Sequence, residues 1–462
     1  MEQKKLLLIG CGIQANHAHL PAIIAIKDKI TLIAIVDMSS RMKEIKENLL
    51  QHGFWPLPKL IAIPDEDRND GNCNTITDIL DAHCSHANAV ILSTLGIERM
   101  TYIQWAIKKG MDILTEKPLT ITPNCSSDAA QAKKISADFE AIQEAAQQRV
   151  KIFMVVAQRR YQKSYRDMAK RVSQVFQQTG YGITFIQCLT NDGLWHFPED
   201  YEAAISYHPT KSGGGKLTHT GYHILDTTSW LMRFAMDEAF IQSAIVYATG
   251  FFPNDSLACE EHPKKQSLQN YAEVNAALQI SFKNERQDTV CMMQCGMLHE
   301  GLSHRINEKP SLANDRIHTA FKGRTKQDFL CLYQGPVGGI FHRRIAKLGN
   351  TNGTEVGGQD HTNVIYSANP YYSNFPAVLE KEYCYDPQDS APTMEFLNKI
   401  TRKDEEPLSV SPLNDHAIAI KLLSASYQSL ATKAPVTVTF DKNEWAAPPS
   451  IEFIHKQSSV AL

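Results

Sequence analysis

The sequence lacks any long apolar run, and none approaches the roughly 20 residues that a membrane-crossing helix needs. It lacks a charge bias as well. The 47 Lys and Arg residues nearly balance the 50 Asp and Glu, for a formal net charge of −3. No basic stripe is present to attract nucleic acid, and no charge block marks a disordered tail. The ten cysteines are scattered. Cys291 and Cys295 stand close together but have no partner pair at zinc spacing, so the set reads as reduced thiols of a cytoplasmic protein. The segment Met1 to Ile9 is apolar over too short a stretch for a secretory signal. No internal repeat is evident.

What is present is an ordinary globular composition, 43 % apolar and 21 % charged. A chain of 462 residues exceeds one usual core, so two domains are expected. The boundaries read as residues 1–150, residues 151–445 and a tail over residues 446–462.

The first domain opens with the apolar strand Lys5 to Ile9, followed by Gly10-Cys11-Gly12-Ile13-Gln14-Ala15. This is a G-x-G-x-x-G/A fingerprint. Gly10 permits a tight turn, Gly12 lets the backbone approach a pyrophosphate, and Ala15 keeps the next helix close to the strand. Free N–H groups at the start of that helix, around Ile13 and Gln14, suit phosphate. A second apolar strand, Thr31 to Val36, ends at Asp37. An acidic residue there can accept the ribose hydroxyls of an adenosine, which favours NAD over NADP. Arg41, just beyond, could soften that preference.

Strand and helix then alternate. A helix is expected over residues 75–83, a strand over Ala89–Leu92, a helix over residues 98–109 and a strand over residues 111–115. A long helix over residues 126–149 and a strand over residues 151–157 follow. The pattern predicts a doubly wound parallel sheet. Ser93 and Thr94 close one strand where the backbone commonly passes the nicotinamide ribose. Residues 52–74 read as an inserted surface loop.

Glu116-Lys117-Pro118 closes the strand over residues 111–115. Such a strand end is where an open α/β sheet binds its ligand, and the proline restricts the backbone so that Lys117 is aimed. Oxidising an alcohol sends a hydride to nicotinamide and a proton to a base. A lysine beside the reacting oxygen stabilises developing negative charge. A histidine is the natural proton acceptor at neutral pH. His223 fits that role, and His219 lies four residues before it on one expected helix, residues 217–232.

After Ala157 the alternation ends. A helix over residues 161–178 and strands near residues 183–189, 240–247, 274–282, 289–297, 329–333 and 339–344 predict an open, mostly antiparallel sheet with helices on one face. Residues 301–328 and 345–380 read as long loops. Helices over residues 394–402 and 415–432 and a strand over residues 436–440 end the pattern. Gly213-Gly214-Gly215 reads either as a place where substrate passes close to backbone or as a flexible linker. Arg160, Trp195, Tyr207 and His208 are candidate contacts to sugar hydroxyls and ring faces. His17 and His19 read as packing residues.

Taken together these residues resemble the glucose–fructose oxidoreductase / inositol dehydrogenase (Gfo/Idh/MocA) family. The resemblance is carried by Gly10-Cys-Gly12 with His17 and His19, Ser93-Thr94, Glu116-Lys-Pro118, Gln158-Arg-Arg-Tyr161, and Gly213 through His223 with Asp226. The helix from Asp415 to Ser429 extends it. It implies a Rossmann domain joined to a sheet-rich α+β substrate domain. It implies NAD or NADP chemistry on sugars, inositols and related polyols, and homodimers or homotetramers built through the open face of the second sheet. One departure stands out: His219 occupies a position where the family usually carries an aspartate. His219 then either takes over the aspartate's substrate contacts, or pairs with His223, with Asp226 nearby, around a metal, or marks altered catalysis. Alternative activities are a catalyst that keeps its NAD and performs epimerisation or glycosidic elimination, and a non-catalytic dinucleotide sensor or scaffold.

Overall fold

The computed structural model describes residues 3–68, 73–191, 210, 212–236, 241–252, 271–298, 325–347, 359–372, 374–384, 389–401, 409–446 and 448. Its first layer is a six-stranded parallel sheet in the order β3-β2-β1-β4-β5-β6. The strands are β1 (Lys4–Ile9), β2 (Ile30–Met38), β3 (Lys59–Ile63), β4 (Ala89–Leu92), β5 (Asp112–Thr115) and β6 (Phe153–Val155). Alternate residues of each strand feed two separate cores. Leu6, Leu8, Ile35, Ile91 and Leu114 face α1 (Leu20–Ala25) and α2 (Met42–Gln51). Leu7, Ile9, Val36, Val90 and Ile113 face α3 (Cys73–Cys84), α4 (Arg99–Lys108) and α5 (Ala129–Gln147). Burial on both faces explains why these strands read as unbroken apolar runs. Asp128 caps α5 by accepting from the N–H groups of Ala130 and Gln131.

Two expectations about this layer are corrected. Residues 52–74 are not simply an inserted loop, because Lys59–Ile63 within them is the edge strand β3. It is only five residues long, and Pro56, Pro58 and Pro64 around it mask the pattern. The first sheet also runs past residue 150, since β6 belongs to it.

The chain continues through α6 (Lys163–Thr179), which ends at Gly180 in the left-handed conformation. The second layer is a nine-stranded sheet in the order β14-β13-β12-β11-β7-β10-β9-β8-β15. Its strands are β7 (Phe185–Asn191), β8 (Ser243–Phe251), β9 (Asn275–Lys283), β10 (Thr289–Leu298), β11 (Thr325–Gln334), β12 (Gly338–Lys347), β13 (Gln359–Ala368), β14 (Val378–Cys384) and β15 (Val436–Thr439). All neighbours are antiparallel except β7 and β10. Much of the stretch over residues 345–380, read as loop, is therefore strand. β13 opens with the polar run Gln359 to Asn363 before its buried Val364, Tyr366 and Ala368, and every described residue of β14 but the half-buried Tyr383 is exposed, so neither stands out as an apolar strand.

Helices α7 (Tyr222–Arg233) and α9 (Ala417–Thr432) cover the inner face of this sheet. A further helix, α8 (Ala391–Thr401), returns to the first sheet, where Phe396, Leu397 and Ile400 complete the core beside α1. Between the layers, α5 and α9 meet through small residues, and Ser424 donates to the Ala132 carbonyl at 2.8 Å. Among the described residues no helix is long and apolar enough to cross a membrane.

Candidate active site

The carboxyl ends of the parallel strands gather the site. Gly10, just after β1, has φ +85°, and a Cβ there would sit 2.5 Å from the Ser93 carbonyl oxygen. The glycine is what lets the β1 and β4 loops touch. A Cβ at Gly12 would meet nothing within 4 Å, so this backbone faces open space. Ile13 is 75 % exposed beside it. The helix that follows begins with a π-turn, Ala15–His19, before α1.

Asp37, at the end of β2, is 8 % exposed. Its carboxylate accepts from Cys11 N at 2.6 Å, Met38 N at 2.7 Å and Arg41 Nη1 at 3.0 Å. Arg41 Nη2 also donates to the Cys11 carbonyl at 3.1 Å. Arg41 is thus folded back onto Asp37 and the glycine turn. Burial and the Asp37 charge push the Cys11 thiol up to about 12, which makes it a neutral spacer.

Several polar atoms at this edge are buried without a hydrogen-bond partner: Gln14 Nε2, Ser93 Oγ, Thr94 Oγ1 and Gln158 Oε1. They follow β1, β4 and β6. Unpaired buried polar groups cost free energy, so such a cluster at one edge points to a polar ligand that would satisfy it. Together with the open space at Gly12, it fits a dinucleotide.

Glu116, Lys117 and Pro118 follow β5, and the Lys117–Pro118 bond is cis. The Glu116 carboxylate is buried. Its Oε1 lies 3.2 Å from Nε2 of the fully buried His19, whose Nδ1 is 2.8 Å from Thr393 Oγ1 on α8. His19 packs beneath this loop, and neither His19 Nε2 nor Glu116 Oε1 makes a hydrogen bond. Arg99, at the start of α4, was not foreseen. It donates to the carbonyls of Thr94, Glu116 and Pro118 and ties both loops together. Burial lowers it to about 10. Nothing in the local pattern announces it, because its acceptors are backbone carbonyls.

Lys117 Nζ reaches across to the other layer and donates to the His219 carbonyl at 2.7 Å. His219 lies in a second π-turn, Leu217–Gly221, that runs directly into α7. The side chain of His219 is exposed, and that of His223, in the first turn of α7, is half-buried. Single π-turns inside helices recur at functional sites.

The three glycines before this turn are neither a linker nor an open platform. A Cβ at Gly213 would lie 2.6 Å from the Thr122 carbonyl oxygen, at Gly214 2.0 Å from Tyr427 Oη, and at Gly215 2.0 Å from the Glu273 carbonyl oxygen. They are glycines because three elements pack against them. Glu273 Oε1 accepts from Gly215 N at 3.2 Å, Leu217 N at 3.0 Å and Tyr427 Oη at 3.0 Å. Burial raises this carboxyl to about 7, against the pull of those donors.

Arg160 is corrected as a substrate contact. Its side chain is wholly buried, held by Asp226 at 2.5 Å and Asp415 at 3.2 Å. Asp226 is also 3.0 Å from His416, and Asp415 is 2.9 Å from Arg233. Burial would raise the Asp226 carboxyl, but Arg160 and His416 hold it well below its ordinary value. Asp226 is committed to this ion cluster. Among the described residues no three His, Cys, Asp or Glu side chains are gathered to hold a metal. Trp195, Tyr207 and His208 lie outside the described residues.

Neither a protein-family model nor a curated protein sequence matches the chain. Solved structures do match its fold. Levoglucosan dehydrogenase in complex with NADH and L-sorbose is 15 % identical with a TM-score of 0.57, over 95 % of this chain and 99 % of that one. The WlbA dehydrogenase from Bordetella pertussis, in complex with NADH and UDP-GlcNAcA, is 15 % identical with a TM-score of 0.56, over 95 % and 100 %. GenD2 from gentamicin A biosynthesis, in complex with NAD, is 14 % identical with a TM-score of 0.54, over 96 % and 97 %. The architecture is thus a Rossmann layer followed by a mixed-sheet layer, shared along nearly the whole length of these oxidoreductases.

Proposed function

We propose that this chain is an NAD-dependent oxidoreductase that moves a hydride between nicotinamide and a hydroxyl or carbonyl carbon of a sugar or cyclic polyol. The observation that carries the reading is the convergence at one sheet edge of the open Gly12 backbone, four unsatisfied polar atoms and Lys117. The neighbours crystallised with NAD or NADH and with sugar ligands support it. The Gfo/Idh/MocA resemblance is part of the same proposal.

The bound dinucleotide would accept or donate the hydride. The residues of the chain do the rest. Ser93, Thr94, Gln14 and Gln158 would satisfy their polar atoms on the cofactor and fix its register. Lys117 stands between the two layers, where its ammonium can stabilise negative charge on a reacting oxygen. His223 would take or return the hydroxyl proton, and His219, exposed one turn earlier, would contact the substrate. Self-association through the outer face of the second sheet belongs to this proposal.

The test is Lys117→Ala. Turnover on a substrate found by screening sugars and polyols should fall roughly 10²–10³-fold, as for loss of one preorganised charge donor. NADH affinity should stay within about threefold, because the pyrophosphate and adenosine contacts are untouched. Full turnover in the variant would defeat the assignment. Turnover without net NADH would point instead to a catalyst that returns the hydride to its product.

A further inference from the structure

The turn after β2 holds an arrangement that the fingerprint does not explain. Ser39 Oγ shares its one proton between Asp65 Oδ2 at 3.0 Å and the Ile63 carbonyl at 3.1 Å, while Ser40 N donates to Asp65 Oδ2 at 2.9 Å and Ser40 Oγ to Asp65 Oδ1 at 2.6 Å. Asp65 comes from a different element, the short 3-10 turn Asp65–Arg68 that follows β3. Register explains the meeting: β2 and β3 pair in parallel up to Met38 opposite Ile63, so the two strands release their loops side by side.

Two hydroxyls, a backbone N–H and a guanidinium at the end of β2 would ordinarily make a good phosphate cradle. Here Ser40 and Arg41 are already given to carboxylates, and Ser39 is shared between Asp65 and the Ile63 carbonyl. The serines and the Ser40 N–H serve Asp65, and Arg41 serves Asp37, with Glu44 3.4 Å from its other terminal nitrogen. The donors are occupied, and Asp37, Asp65 and Glu44 bring three carboxylates to this turn.

We infer that Asp65 is a specificity-determining residue, which restricts the adenosine end of the groove to a dinucleotide with a free ribose 2′-hydroxyl by occupying Ser39 and Ser40 and repelling a 2′-phosphate. The inference rests on the dinucleotide reading above. It differs from the role of Asp37, which can accept the ribose hydroxyls directly. Asp65 touches the donors that a phosphate would need.

The experiment is a fluorescence titration of wild type, Asp65→Ala and Asp65→Asn with NADH and with NADPH. Wild type should prefer NADH. Asp65→Ala frees Ser40 N and Oγ and removes the charge, so NADPH should bind about tenfold tighter or more, while NADH stays within about threefold. Asp65→Asn keeps an acceptor for Ser40 N and removes only the charge. It should give a smaller gain and stands in should the alanine variant fail to fold. NADPH affinity unchanged in the folded variants, or both cofactors moving together, would overturn the role of Asp65 while leaving the dinucleotide site intact. A wild type that prefers NADPH would overturn it too. A wild type that binds neither cofactor would defeat the underlying reading and the inference with it.

Discussion

At the scale of single residues, Gly10 and Gly12 are two glycines with opposite reasons. Gly10 has φ +85° and no room, since a Cβ would strike the Ser93 carbonyl. Gly10→Ala should therefore cost stability: left-handed backbone alone costs a non-glycine residue roughly 1–2 kcal/mol, and the clash adds to it. Gly12 has no positive φ and a Cβ there meets nothing. Gly12→Ala should leave the melting temperature unchanged and weaken NADH binding by roughly tenfold, because the methyl group enters the space the pyrophosphate needs. Thermal melts and cofactor titrations on the two variants read the contrast directly. A stable Gly10→Ala, or a Gly12→Ala that binds NADH normally, would contradict this division of roles.

At the scale of elements, the π-turn that receives Lys117 is held by Glu273, 56 residues beyond Leu217 in sequence. Burial raises that carboxyl from 4.5 to about 7. The unfolded chain then releases this proton at lower pH than the native state does. Between those values the native state binds more protons, so stability falls as pH rises through the window and levels off above it. The full contribution is on the order of 3 kcal/mol. Urea unfolding at about pH 5 and about pH 7.5 should show the loss in wild type. It should be absent in Glu273→Gln, whose amide can still accept from Gly215 and Leu217. An equal slope in both proteins would remove Glu273 as its source. Glu273, Arg99 and Asp65 share the reason they escape a reading of the sequence. Glu273 and Asp65 act on groups of another element elsewhere along the chain, and Arg99 on backbone carbonyls of two loops, and no local spacing records either. The parallel strands, by contrast, declare themselves as apolar runs because both their faces are buried. β14 escapes notice because this edge is protected by exposed polar and charged residues, and β13 because its buried Val364, Tyr366 and Ala368 follow a run of five polar residues. The run of three glycines was legible as special but not as packed, since glycine tells that backbone is approached and not by what.

At the scale of the whole molecule, no helix among the described residues covers one face of the second sheet. α7 and α9 fill the inner side. The outer side presents Leu189, Ile245, Tyr247, Phe251 and Leu298, each more than a third exposed, around a trough of about 530 Å³ lined in part by Gln187, Gln279, Gln294, Ala277 and Gly296. This trough lies on the face of the sheet away from α7 and α9. Contiguous exposed apolar area of this kind marks an interaction face. Edge-to-edge growth is the other way a sheet can associate, but one edge, β14, carries Glu380, Lys381 and Glu382 in the open, and the other, β15, is four residues long. The self-association proposed above would then be face to face, and it needs about 1,000 Å² or more of buried surface to be stable. Light scattering after gel filtration should give a dimer or larger assembly for wild type. Leu189→Lys combined with Tyr247→Lys should give a monomer with an unchanged far-ultraviolet spectrum, because both side chains already point to solvent in one chain and a buried unpaired charge is tolerated only when the faces separate. A wild type that stays monomeric at high concentration would reject the interface. An assembly that survives both lysines would place the contact elsewhere on the chain.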